Sequence, residues 1–300
     1  MAELLYRAAG RLSVLADPLR PALASSDPAL RPRDAGPQRL DRTGLLMSSA
    51  RPLRILHRDT TVLWAEYDSM AHSLWRSQEL SLVQAHRDEL APPLLDFGAG
   101  DGSFASVLFD RVEHAVENDA DALAVARGFG VYRQLHLVTD GRLPLPDGAV
   151  RSILSNSVLE HVLELEGVLR ELRRVLAPGG SFVFTVPLPS YTEHLIRYFG
   201  AAAARRVNAE SVHRNLLAPE AWRGLLQRNG FTVVLERRYQ PARFTFWYRM
   251  FRLLGRRGLS RFWPSLPGLV WRRAHRRLIT MVRESIAGAA DGANLFVVAR

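Results

Sequence analysis

Gly98, Gly100 and Gly102 stand at every second position in LLDFGAGDGSF, Leu94 to Phe104, with Asp96 and Asp101 beside them and no basic residue in the stretch. An apolar pair leads in and apolar residues follow, so the order reads strand, glycine turn, helix. In that setting glycines let a ligand approach the backbone, and the helix that follows presents free N–H groups. A dinucleotide fingerprint has the spacing G-x-G-x-x-G and seats a pyrophosphate. This chain has G-x-G-x-G, with Ser103 where that fingerprint wants its third glycine. An acidic loop suits a ligand bearing an amino group and a sulfonium better than a pyrophosphate.

Such a loop needs a sheet to hold it. Strand candidates from Pro92 onward are Leu94–Phe97, Val112–Glu117, Gln134–Val138, Val150–Ser155, Ser181–Pro187, Phe231–Glu236 and Leu295–Ala299. Helical stretches lie between most of them, notably Leu159–Leu176 and Pro219–Arg228. Alternation of this kind predicts an α/β fold, a Rossmann-like, seven-stranded, mainly parallel sheet with helices on both faces. Upstream, Trp64, Tyr67, Ala71, Leu74 and Trp75 recur at helical spacing, which predicts a helix within 60–90. Residues 1–50 are rich in proline, alanine and arginine without a core-forming period and read as a disordered tail. Met47 is a second candidate start of the folded protein. The expected organisation is a tail over 1–50, a helical segment over 51–91, a ligand-binding core over 92–237, a helical Arg/aromatic insert over 238–290 and a last core strand over 291–300.

At this point the chain resembles the class I S-adenosylmethionine-dependent methyltransferases. LLDFGAGDG looks like their first motif, HAVENDADALAVAR like the second strand and its helix, and TDGRLPLPDGAV like the loop that meets the adenine. SILSNSVLEHV looks like the fourth strand and its turn, and LRELRRVLAPGGSFVFTVP like the helix, Pro-Gly-Gly turn and fifth strand. The resemblance implies S-adenosyl-L-methionine as cofactor, held by Asp96, Gly98, Gly100, Gly102, Glu117, Asn118, Asp140, Gly141 and Asn156. Glu117 is the acid expected on the ribose hydroxyls, with Asp119 as the alternative register, and Asp140 is expected on the adenine amino group. Val150-Arg151 departs from the Phe-Asp common in the family at that place. The Asn/Asp-Pro-Pro-Tyr/Phe signature of many base-amine methylases is absent, its place reading SNSV.

Methyl transfer from a sulfonium is an in-line displacement, in which the enzyme aligns donor and acceptor and excludes water. A general base helps when the acceptor is a hydroxyl. His161, Tyr191 and His194 are the candidates, with His213 a fourth, and each has an ordinary structural reading beside the catalytic one. No His, Asp or Glu cluster shows metal-ligand spacing along the sequence, so no metal is expected.

Composition adds one feature. The net charge is +10 and no residue is lysine. Thirteen arginines and no acid fall within Arg237–Arg283, which leaves 27 arginines against 30 acids elsewhere. This segment interleaves arginine with Phe, Trp and Tyr, and Trp271, Ala274, Leu278, Met281 and Val282 share one helical face. Three readings stand: an anionic membrane surface beside a small-molecule or lipid-like acceptor, an internal cap on the active site, or a nucleic-acid surface of an RNA methyltransferase. A non-catalytic protein that keeps the fold is the alternative from another class. With no cysteine, no secretory h-region and no apolar run of the ~18 residues a membrane span needs, the expectation is a cytoplasmic protein, peripheral at the inner face of the membrane.

Overall fold

The computed structural model describes residues 45–48, 51–56, 62–64, 70–256 and 266–300, with side chains over 71–252 and 276–300. Strands β1 (Leu45–Ser48), β2 (Arg51–Leu56) and β3 (Val62–Trp64) pair antiparallel in chain order. Helix α1 follows at Met70–Ala85. The expected helix within 60–90 therefore starts later than Trp64, and both the tail and the helical segment contain strands. The β-branched run Thr60-Thr61-Val62 favours extended chain and outweighs the spacing of Trp64 with Ala71. Tyr67 and the rest of the expected tail lie outside the described residues.

The main sheet carries β4 (Leu94–Phe97), β5 (Val112–Glu117), β6 (Tyr132–Leu137), β7 (Val150–Asn156), β8 (Leu176–Pro187), β9 (Val233–Tyr239) and β10 (Asn294–Ala299). Their order is β6-β5-β4-β7-β8-β10-β9. All pairings from β6 to β8 are parallel, and β10 lies antiparallel to both β8 and β9. Strand β4 is buried along its whole length, as a strand covered on both faces must be. Helix α4 (Leu165–Val175) shows the covering pattern, with Leu165, Val168, Leu169, Leu172 and Val175 buried at steps of three and four.

The expected helix over Leu159–Leu176 is interrupted. Leu159–His161 is a 3-10 turn, and α4 begins only at Leu165. The amide of Asn215 donates to the carbonyls of Leu159 (2.8 Å) and Val162 (2.6 Å), which takes them from any continuing helix. Strand β8 starts before Ser181, because Leu176 already pairs with Val150. Gly180 makes that crossing possible, since a Cβ there would lie 2.7 Å from the Arg151 carbonyl oxygen.

The basic-aromatic segment holds two helices, α7 (Ala242–Arg256) and α8 (Leu266–Ile286). Between β8 and β9 lie α5 (Pro189–Ser211), broken at Gly200, and α6 (Pro219–Arg228). Phe244 and Tyr248 of α7 and Leu278, Ile279 and Val282 of α8 bury against Ala71 and Leu74 of α1. The described part of the apolar face of α8 thus points into the protein, while Arg276 and Arg277 are exposed. Trp271 and Ala274 lie among the side chains not described. No helix among the described residues is long and apolar enough to cross a membrane.

Candidate functional site

Strand order reverses between β4 and β7, so the carboxyl ends of these strands form the crevice where open α/β sheets bind ligands. The glycine loop leaves β4 into this crevice. Gly98, Gly100 and Gly102 all have positive φ, at 76°, 56° and 75°. Their surroundings differ. A Cβ on Gly98 would lie 2.4 Å from Val158 Cγ2, and one on Gly102 would lie 2.9 Å from the Tyr132 ring. A Cβ on Gly100 would meet nothing within 4 Å. Two glycines therefore seat the loop on the protein, and the third faces open space. The first amide of α2 (Ser103–Leu108) is not free, because Asp101 accepts from Ser103 N at 3.0 Å.

Two acids sit beneath the loop. Asp96 accepts a 2.6 Å hydrogen bond from the Tyr132 hydroxyl, and burial pushes its carboxyl up to about 7, against the lowering effect of that bond. Burial and the neighbouring carboxylates hold the Tyr132 hydroxyl well above its usual range, so it remains a donor. Glu117 ends β5 and accepts from the backbone N–H of Gly100 (2.8 Å), Asn118 (2.7 Å) and Asp119 (3.2 Å). Burial raises its pKa and these bonds lower it. Asp119 is the N-cap of α3 (Ala120–Phe129), accepting from Asp121 N and Ala122 N. The two registers weighed for the second strand thus have different structural jobs. Asp140 is exposed in the turn with Gly141 and accepts from Arg142 N at 3.2 Å.

At the end of β7, Asn156 is engaged on both sides. It donates to Glu79 Oε2 at 3.0 Å and accepts from Thr185 Oγ1 at 2.8 Å. Glu79, on α1, is fully buried and also accepts from Trp75 Nε1, Arg76 and Ser157 Oγ. This carboxylate ties α1 across the end of the crevice. Neither Glu79 nor Tyr132 stood out in the sequence. The available signal was the number of polar residues on one helix, Ser73, Ser77, Gln78, Glu79 and Ser81, all buried. Ser77 and Ser81 return their hydroxyls to carbonyls four residues back.

The four acceptor-side candidates separate. His161 Nε2 lies 3.7 Å from Glu160 Oε1, and its ring centroid lies 5.4 Å from that of His213. Tyr191 is buried edge-on to Trp75 at 5.7 Å and 6.5 Å from the His213 ring. Burial lowers the pKa of both histidines, His213 to about 4, and raises that of Tyr191. Burial also pushes the Glu160 carboxyl up to about 8. His194 stands apart, with Nδ1 at 3.1 Å from Thr245 Oγ1 and Nε2 at 3.8 Å from Asp291.

A seven-stranded sheet with this order, and a glycine loop over acids at its reversal, is the Rossmann-like methyltransferase fold. The profile of the family described as "methyltransferase domain" matches residues 68–236, and the chain belongs to that family, an S-adenosylmethionine-dependent methyltransferase. The chain is 33% identical over 181 residues to a malonyl-[acyl-carrier protein] O-methyltransferase of Geobacter sulfurreducens, covering 57% of this chain and 67% of that protein. It is 31% identical over 187 residues to a demethylmenaquinone methyltransferase of Thermus thermophilus, covering 54% and 83%. Among solved structures, an S-adenosylmethionine-dependent methyltransferase from Mesorhizobium loti superposes with a TM-score of 0.51 at 18% identity, over 76% of this chain and 99% of that one.

Proposed function

We propose that this enzyme methylates a small-molecule or lipid-like acceptor, and does so at an anionic membrane surface. S-adenosylmethionine supplies an electrophilic methyl group, and the chain's own residues bind, orient and exclude water. In this reading Gly100 admits the cofactor backbone, Glu117 takes the ribose hydroxyls, Asp140 takes the adenine amino group and Asp96 faces the amino-acid ammonium. Asn118, Gly141 and Asn156 complete the seat. The donor set fits, because the loop is open above Gly100 and the buried groups beneath it are acids.

The observation that carries the membrane reading is an exposed aromatic ridge. Tyr198 and Phe199 of α5 run into Phe246, Trp247 and Phe251 of α7 through ring contacts of 5.3–6.4 Å. Trp247 is 49% exposed, Ile196 48% and Tyr198 37%. Exposed Arg197 lies 5.6 Å from the Tyr198 ring, and exposed Arg243, on the same helix as Phe246 and Trp247, pairs with Glu284. Arginines near an anionic surface are worth about 1 kcal/mol each and are screened by salt, whereas inserted rings give a salt-resistant part. The ridge replaces the buried face of α8 as the contacting surface. Two relatives carry their acceptors in their names, malonyl-[acyl-carrier protein] and demethylmenaquinone. In a flotation assay the protein is expected to rise with anionic vesicles, less so at high salt, and Trp247→Ser is expected to lose most of the salt-resistant part. Protein that stays at the bottom with both neutral and anionic vesicles removes the membrane from the proposal.

A second outcome concerns Asp96. Its carboxyl titrates near 7 and is neutral below that. A ligand ammonium favours the carboxylate, so binding must release the proton when pH is low. Affinity for S-adenosylhomocysteine is expected to rise by up to about tenfold per pH unit below 7 and to level off above it. Calorimetry from pH 5.5 to 8.5 measures this, and Asp96→Asn should flatten the curve. A slope that survives in Asp96→Asn assigns the proton to another group, such as Glu117.

A further inference from the structure

His213 lies far along the chain from the neighbours Glu160 and His161, yet each of the three offers a ligand atom within 4.8 Å of the other two. Glu160 is 2% exposed, and its Oε2 has no hydrogen-bond partner among the described residues. His213 Nδ1 is likewise buried without one. The 3-10 turn at Leu159–His161 fixes the first two. His213 is brought in by the chain after α5, where the N–H groups of Arg214 (2.7 Å) and Asn215 (3.0 Å) donate to the Glu160 carbonyl. Hydrogen bonds of the backbone thus hold His213 against Glu160, although the two side chains gain no protein donor from it. A buried carboxylate oxygen and a buried imidazole nitrogen, both unpartnered and on side chains of one cluster, are costly unless something bridges them.

We propose that these three side chains bind a divalent transition-metal ion of the zinc type. Two imidazoles and one carboxylate, with a fourth position left open, suit Zn²⁺ or Co²⁺ and not Mg²⁺, which prefers an all-oxygen, water-rich shell. Tetrahedral zinc with bonds of about 2.1 Å places ligand atoms about 3.4 Å apart, so the trio closes inward by roughly an ångström on binding. Glu160 lies two residues past Val158, which packs against Gly98 of the cofactor loop. In this proposal the open position faces the cofactor loop. There the ion holds an acceptor oxygen and lowers its pKa, which favours oxygen over carbon as the methylated atom. That use rests on the methyltransferase reading, whereas the binding itself does not.

The full-length protein, stripped with a chelator, is titrated with Zn²⁺ by calorimetry and with Co²⁺ by visible absorption. One tight site is expected, with a tetrahedral Co²⁺ spectrum and a raised melting temperature. Glu160→Gln and His213→Gln should each weaken it at least 100-fold. If Glu160→Gln does not fold, His213→Gln, on a half-buried residue, carries the test. A second histidine pair, His114 and His136, has its ring nitrogens 3.3 Å apart on β5 and β6. His136→Ala should leave the tight site unchanged. Absence of tight binding, or a site lost in His136→Ala and kept in His213→Gln, overturns the proposal. S-adenosylhomocysteine binding is measured on the same samples. If it persists without metal binding, only the metal site falls; if metal binds and S-adenosylhomocysteine does not, only the cofactor reading falls.

Discussion

Glu79→Ala is expected to lower the stability of the enzyme by about 3–5 kcal/mol, the scale for stranding partners of a buried ion pair. Glu79 is fully buried and its two oxygens accept from four donors: Trp75 Nε1 (2.8 Å), Arg76 (2.6 Å), Asn156 Nδ2 (3.0 Å) and Ser157 Oγ (2.8 Å). Alanine leaves Trp75, Asn156 and Ser157 without this acceptor and removes the carboxylate paired with the partly exposed Arg76. Ser157 adds to the cost, because it holds a left-handed backbone, φ 56°, worth roughly 1–2 kcal/mol for a residue with a Cβ. Its side chain is held by Glu79, and its N–H by Thr185. Glu79→Gln keeps the shape but turns a donor toward other donors, so an intermediate loss of about 1.5–3 kcal/mol is expected. Urea denaturation of the three proteins checks the order. A Glu79→Ala protein within 1 kcal/mol of the parent, on that scale, removes the clasp between α1 and β7.

How much of this arrangement was legible in the sequence depends on the range of the signal. LLDF and VEHAVE show as strands because their local patterns and flanking turns agree with the packing, and both ends match. The acids under the loop follow from strand ends, a register argument that separates Glu117 from Asp119. Glu79 and Tyr132 could not be found that way, since their partners lie 77 and 36 residues away. The Glu160–His161–His213 trio has the same difficulty: spacing along the chain is silent, and a backbone pairing after α5 creates the cluster. The described part of the α8 face is apolar as the spacing predicts, but periodicity cannot say whether such a face meets lipid or, as with Leu278 and Val282, another helix.

The glycine loop gives the sharpest contrast, because two of its glycines fail for different reasons. Gly98→Ala puts a Cβ 2.4 Å and 2.6 Å from the two methyl carbons of Val158, at φ 76°. Val158 is buried on a β-branched side chain and has little room to turn. Overpacking costs about 1–3 kcal/mol and the left-handed conformation about 1–2, so a loss of stability of about 2–5 kcal/mol is expected. Cofactor affinity should fall too, since the amides of Gly98 and Ala99, which donate to the Val116 carbonyl, set the path of the loop. Gly100→Ala meets nothing within 4 Å and carries only the conformational cost of about 1–2 kcal/mol. Its new methyl group points into the space assigned to the cofactor, where overpacking of about 1–3 kcal/mol corresponds to roughly 5–150-fold weaker S-adenosylhomocysteine binding. Thermal melts and calorimetry on both variants separate the cases: Gly98→Ala should be the less stable protein, and Gly100→Ala a better-folded one that binds poorly. If Gly100→Ala binds S-adenosylhomocysteine as the parent does, the cofactor does not lie over Gly100, and the open space there belongs to something else.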